Sequence, residues 1–180
     1  LMDDWHHENL SLLLMNRLND EFNGELTLAL EMFQGKYQRK FFNQLISSQL
    51  DVDRLDYLKR DSFFTGVSEG NINAERIVSM MNVCEEGELV IDAKGIYSIE
   101  NFLTARMFMY WQVYYHKTSA LAEFLLVKIL ERAKFLVSQG EDLPATENLR
   151  YFLYRENDGA TDEDVFRFTQ LDDNDIIQAM

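Results

Sequence analysis

Pro144 is the only proline in the chain, and just eight glycines join it across 180 residues. Proline removes a backbone donor and glycine raises the entropic cost of coiling, so their scarcity leaves long stretches free to form helices. The apolar spacing agrees. Leu10, Leu13, Leu14 and Leu18 recur at helical intervals and predict a helix over about 9–22, broken at Gly24. Further helices are predicted over 26–33, 37–48, 51–62 and 74–81, the last capped by Asn73. β-Branched Val90 and Ile91, followed by Ala93-Lys94-Gly95, predict a hairpin pairing 88–92 with 96–98. The longest helical stretch runs from Ser98 to about Ser138, with a bend near Thr118, and ends at Gly140 and Pro144. Thr146 and Asp172 read as helix caps, and Thr161 with Asp164 three residues on reads as a capping box. The expected fold is all-α with one small β-hairpin near 88–98, organised as a single helical unit over 1–180.

Charge narrows the partners. Thirty-one acidic residues against 17 basic give a net −14, which repels a polyanion and argues against general nucleic-acid binding. A small phosphate ester held by a few focused cations remains compatible. Cys84 is the single cysteine and has no intramolecular disulfide partner. No apolar run approaches the roughly 20 residues of a membrane span, and no signal segment opens the sequence, so a cytoplasmic location without membrane contact is expected. Residues 10–14 already look like a helix interior, and 173–180 look like a helix beginning. The chain is therefore expected to be an internal piece of a longer protein.

The richest stretch is Gln49-Leu50-Asp51-Val52-Asp53-Arg54-Leu55-Asp56-Tyr57-Leu58-Lys59-Arg60-Asp61-Ser62. On a helix, Asp53, Asp56, Tyr57, Arg60 and Asp61 fall on one face, with Leu55 and Leu58 on another. Such a polar face either lies in water making i,i+4 pairs or holds a divalent metal and a polar ligand. In a second stretch, residues 105–117, Arg106, Tyr110, Tyr114 and Lys117 also share a face. A guanidinium donates two parallel hydrogen bonds to phosphate, and a tyrosine packs on a sugar or base while its hydroxyl bonds. Spacing alone leaves open an aromatic-rich core helix.

Together the two stretches, with Thr65-Gly66-Val67 after the first, resemble HD-type metal-dependent phosphohydrolases, the deoxynucleoside triphosphate triphosphohydrolase branch most of all. The resemblance covers about residues 5–134. It implies that Asp53 is a ligand of a divalent metal (Mn, Mg, Fe, Ni or Zn), that Arg54 and Arg106 contact substrate phosphate, and that Tyr57, Asp61 and Tyr114 contact the sugar. Tyr110 completes the second wall, and the two helices are expected to turn their polar faces to one cleft. His116 and Lys117 match positions that bind a regulatory nucleotide in some members. His7, in His6-His7-Glu8, weakly matches a candidate acid or base. The resemblance further implies a nucleotide substrate, cleaved to deoxynucleoside and triphosphate, and a homo-oligomer.

One part of that pattern is missing. The family's metal site needs an upstream His and an adjacent His-Asp pair, and this sequence holds no His-Asp dipeptide. The chain is expected to lack both those ligands and a C-terminal part, and to be inactive alone. A non-hydrolysing nucleotide-binding regulatory module and a helical assembly scaffold are the alternatives.

Overall fold

The computed structural model describes residues 6–155 and 161–180. In chain order the first elements are α1 (His7–Glu21), α2 (Thr27–Phe33), α3 (Lys40–Ile46), α4 (Val52–Thr65) and α5 (Ala74–Ser79). Strands β1 (Met81–Val83) and β2 (Leu89–Ile91) follow, then α6 (Ile96–Met109) and a π-helical turn over Tyr110–Tyr114. The last elements are α7 (Lys117–Ser138), α8 (Glu147–Tyr154), α9 (Asp162–Thr169) and α10 (Asp173–Ala179). A mainly helical chain with one small antiparallel hairpin is the class its scarce breakers predict.

The hairpin lies one strand earlier than its composition suggests. β1 and β2 pair in the register Met81–Ile91, Asn82–Val90 and Val83–Leu89, while 96–98 open α6 instead of returning as a strand. Gly87, with φ at +77°, closes the turn by donating its N–H to the Cys84 carbonyl at 2.9 Å. The Asp92 carboxylate accepts from the Lys94 N–H at 2.9 Å and tightens 93–95 into a single 3₁₀ turn that feeds α6. The long 98–138 stretch also divides, a few residues ahead of Thr118. The Tyr115 N–H reaches back five residues to the Tyr110 carbonyl at 2.8 Å, and α7 starts afresh at Lys117.

The chain forms two compact units. The first, Gly24–Ala120, is built on Leu55, Leu58, Ile72, Ile77, Phe102, Ala105 and Met109. These apolar side chains come from α4, α5, α6 and, for Ile72, the segment just before α5, so the polar edges of α4 and α6 border one shared core. Gly70 sits against it. A Cβ there would lie 2.3 Å from Met109 Sδ, 2.7 Å from its Cγ and 3.0 Å from Ser62 Cβ. Gly70→Ala is expected to cost about 1–3 kcal/mol, because the fully buried Met109 has little room to move. A denaturation midpoint matching the parent protein's would refute that packing argument.

The second unit combines residues up to Asn23 with those from Leu121 onward. Leu149, Phe152, Leu153 and Val165 are buried in it, and the capping box expected at Thr161 and Asp164 is present. Along α7, Leu121, Phe124, Leu125, Val127 and Ile129 remain exposed. Among the described residues, no helix is long and apolar enough to cross a membrane.

Candidate functional site

α4 starts where the sequence supplies a side chain to start it. Asp51, only 2% exposed, accepts the Arg54 N–H at 2.8 Å with one carboxylate oxygen and the Ser48 N–H at 3.2 Å with the other. An aspartate at this position supports a helix end by about 1 kcal/mol. The same carboxylate also pairs with the Arg54 guanidinium, which donates in addition to the Ser48 carbonyl. Gly66, in the left-handed region at φ +73°, ends the helix. Between these stops Leu55, Leu58 and Ser62 face the core, which leaves Tyr57 and Asp61 along one border of it.

Tyr57 and Asp61 meet the α6 side at that border. The Tyr114 hydroxyl donates to Asp61 Oδ2 at 2.8 Å. The Tyr57 and Tyr114 rings meet edge-on with centroids 5.9 Å apart, and Tyr110 and Tyr114 meet at 5.2 Å. The Arg106 guanidinium lies 5.7 Å from the Tyr110 ring centroid, within cation–π range, and donates to Gln49 Oε1 at 3.0 Å. The wider π-helical turn carries Tyr110 and Tyr114; such turns recur at functional sites. The result is a patch that joins Arg106, Tyr110 and Tyr114 to Tyr57 and Asp61, drawn from two distant stretches of the chain.

The electrostatics follow from this arrangement. Burial, then the hydrogen bond to Asp61 and the charge of that carboxylate, hold the Tyr114 phenol well above the usual range. Tyr57 is also raised, first by burial and then by its hydrogen-bonded neighbour Tyr110. Both phenols are therefore protonated donors at neutral pH, suited to binding rather than to proton abstraction.

The other sequence-predicted residues lie elsewhere. Asp53 is exposed in the first turn of α4. Asp56 and Arg60, read from sequence onto the same face as Tyr57, pair with each other at 3.2 Å in solvent, and Arg60 Nε also lies 4.0 Å from Asp61 Oδ1. They border an open groove of about 790 Å³ that also includes Lys59, Phe63 and Phe64. That groove holds none of Arg106, Tyr110 or Tyr114, and its volume alone assigns it no chemistry. His116 and Lys117 are exposed at the break before α7, with His116 Nδ1 3.3 Å from the Thr118 N–H. His7 is exposed on α1, which belongs to the other compact unit.

Two contributors went unassigned in the sequence. Asp51 had a signal, since an aspartate directly before a helical run is a cap by its chemistry. Gln49 had none, because its partner lies 57 residues away. A metal is a separate matter. Among the described residues no three His, Cys, Asp or Glu side chains group closely enough to hold an ion, so Asp53 does not form a metal site with its neighbours here.

Known proteins bear on this geometry. Residues 72–151 match the family model described as the HD associated region, a span that includes Arg106, Tyr110 and Tyr114 but not α4. The crystal structure of a phosphohydrolase from Bacteroides thetaiotaomicron is similar over 98% of this chain, with a TM-score of 0.93 and 53% identity, and the chain covers 44% of it. The Bacillus subtilis protein YwfO is 44% identical over 110 residues, which is 61% of this chain and 25% of that protein. The deoxynucleoside triphosphate triphosphohydrolase SAMHD1 homolog of Dictyostelium discoideum is 25% identical over 141 residues, 72% of this chain and 27% of that protein. The matches support the HD-domain family and do not separate its branches. The chain spans about a quarter of the length of these two curated relatives.

Proposed function

We propose that the intact protein is a metal-dependent phosphohydrolase that cleaves a deoxynucleoside triphosphate to deoxynucleoside and triphosphate. The observation that carries this reading is the convergence of Arg106, Tyr110 and Tyr114 with Tyr57 and Asp61. A guanidinium steadied by a neutral carboxamide, beside phenol hydroxyls and one carboxylate, suits a ligand with a phosphate at one end and a hydroxylated sugar at the other. The names of two similar proteins, a phosphohydrolase and a triphosphohydrolase homolog, favour the same chemistry.

In this reading Arg106 binds phosphate and offsets charge on it as the ester bond breaks. Asp61 and Tyr114, already bonded to each other, accept from the sugar hydroxyls through the lone pairs that bond leaves open. Tyr57 and Tyr110 wall the sugar and base. Arg54 lends orientation more than net charge, since Asp51 neutralises it. Asp53 would serve as one ligand of a divalent metal whose remaining ligands lie beyond the described residues, an ion that would polarise a phosphate oxygen and activate a water. His7 as an acid or base, and His116 with Lys117 as a regulatory-nucleotide contact, complete the assignment. The 180 residues form part of an HD-type unit in a homo-oligomer. The exposed apolar side chains of α7 favour the assembly component, since a helix apolar on most sides is ordinarily covered.

The test is product analysis on the intact protein, supplied in turn with Mn²⁺, Mg²⁺ or Fe²⁺ and each of the four dNTPs. Release of deoxynucleoside and inorganic triphosphate is expected. Nucleotide binding without product would favour the regulatory-module reading. No binding at all would leave the scaffold reading in its place.

A further inference from the structure

We infer that Gln49 is a positioning residue that holds the Arg106 guanidinium in place to receive phosphate; the inference rests on the function proposed above. Arg60 pairs with Asp56 and Asp61 at the edge of the proposed cleft, and the two other arginines there, Arg54 and Arg106, are held differently. Arg54 is pinned by the buried carboxylate of Asp51 and by the Ser48 carbonyl, so its charge is largely neutralised before any ligand arrives. Among the described residues no carboxylate lies within ion-pairing distance of Arg106. Its polar partner is the neutral carboxamide of Gln49, whose Oε1 accepts from Nη1 at 3.0 Å, and its other neighbour is the Tyr110 ring.

That difference decides what each cation can do. A guanidinium already paired with a carboxylate has less attraction left for a second anion. One steadied by a carbonyl oxygen and an aromatic ring keeps its full charge and loses only conformational freedom. A long, flexible side chain loses rotamer entropy when a ligand fixes it, so fixing it beforehand strengthens binding. Gln49 is placed for this because it sits in the turn just before α4. The turn that leads into the Asp53 helix therefore also reaches α6 and sets the distance between Arg106 and the Tyr57–Asp61 edge. Glutamate would hold the arginine as well but neutralise it. Methionine would match the length and offer no comparable acceptor.

The experiment measures tripolyphosphate binding to the intact protein by calorimetry, which needs no turnover. Arg106→Ala tests the underlying reading and is expected to weaken binding by tenfold or more, on the order of a lost charged hydrogen bond. Gln49→Ala and Gln49→Met are each expected to weaken it about fivefold with unchanged melting temperature, and Gln49→Glu to weaken it further. In an Arg106→Ala background, Gln49→Ala should then have no additional effect, which a merely structural role would not produce. If Arg106→Ala weakens binding but Gln49→Ala does not, or if the two losses simply add, the positioning role is overturned and the function reading stands. If Arg106→Ala leaves binding unchanged, both fall.

Discussion

Asp164→Ala is expected to destabilise the unit containing α8 and α9 by about 3–5 kcal/mol, the cost typical of removing one partner from a buried charge pair. Asp164 has no solvent exposure. One carboxylate oxygen accepts from the Tyr151 hydroxyl at 2.9 Å. The other accepts from Arg155 Nη2 at 2.7 Å, and from the Thr161 N–H and hydroxyl at 2.6 Å each. The Arg155 Nε pairs with the first oxygen as well, so the guanidinium and carboxylate meet fork to fork. Alanine would remove these contacts together and take the carboxylate from a guanidinium whose side chain is only 13% exposed. Thr161 would also lose the carboxylate half of its capping box. Chemical denaturation of variant and parent side by side checks this. A difference under about 1 kcal/mol would mean that the pair contributes orientation but little stability.

The same carboxylate predicts a pH dependence, and its sign can be worked out. Burial pushes the Asp164 carboxyl upward. The Thr161 hydroxyl and N–H, the Tyr151 hydroxyl and the Arg155 charge together outweigh burial and hold it below the ordinary carboxylate value. A depressed folded value means that the unfolded chain takes up a proton first as pH falls. The stabilisation is therefore complete above the unfolded carboxylate value of about 4 and is lost as pH drops through the folded one. Stability measured from pH 6 down to pH 2 should fall more steeply in the parent than in Asp164→Ala.

How far the sequence revealed this molecule depends on how local each cause is. Helices with a side-chain cap and an apolar stripe were legible: Asn73, Thr146, Thr161 and Asp172 each cap a helix where their chemistry suggests. The hairpin was legible as a hairpin but not in its pairing. Met81–Val83 continues directly from α5 with no breaker, and only the positive φ at Gly87 shows that the chain reverses before Glu88. The π-helical turn left no mark, because a run of aromatic residues fits an α-helix equally well. For the candidate site, helical spacing placed Tyr57 with Asp61 and Tyr110 with Tyr114, since each pair is separated by one turn. It also grouped Asp56 and Arg60 with them; these two pair in solvent, and Arg60 keeps a 4.0 Å contact with Asp61 at that edge. Contacts across the core, such as Tyr114 to Asp61 or Arg106 to Gln49, depend on how α4 and α6 share the pocket around Leu58 and Met109. No local pattern encodes that.

In the intact protein, Asp53→Ala is expected to lower dNTP hydrolysis by more than about a hundredfold and to remove bound metal, while stability changes by no more than about 1 kcal/mol. The two halves of this expectation have separate grounds. The small stability change follows from position: Asp53 is exposed in the first turn of α4, where a carboxylate gains only a modest interaction with the helix dipole. The large activity change follows from the proposed role as a metal ligand, which a methyl group cannot fill. Asp51, two residues earlier, is the natural contrast. It is buried, caps α4 and pairs with Arg54, so Asp51→Ala should lose stability and activity together. Asp53→Asn sharpens the comparison, because it keeps the shape and removes the charge that a hard divalent cation prefers. Metal content, melting temperature and turnover measured on all three variants resolve the assignment. If Asp53→Ala and Asp53→Asn keep both metal and turnover, Asp53 is only a favourably placed first-turn acid, and the ion must be sought away from α4. If both variants fold as the parent does and lose both metal and turnover, the exposed carboxylate is there for chemistry rather than for the fold.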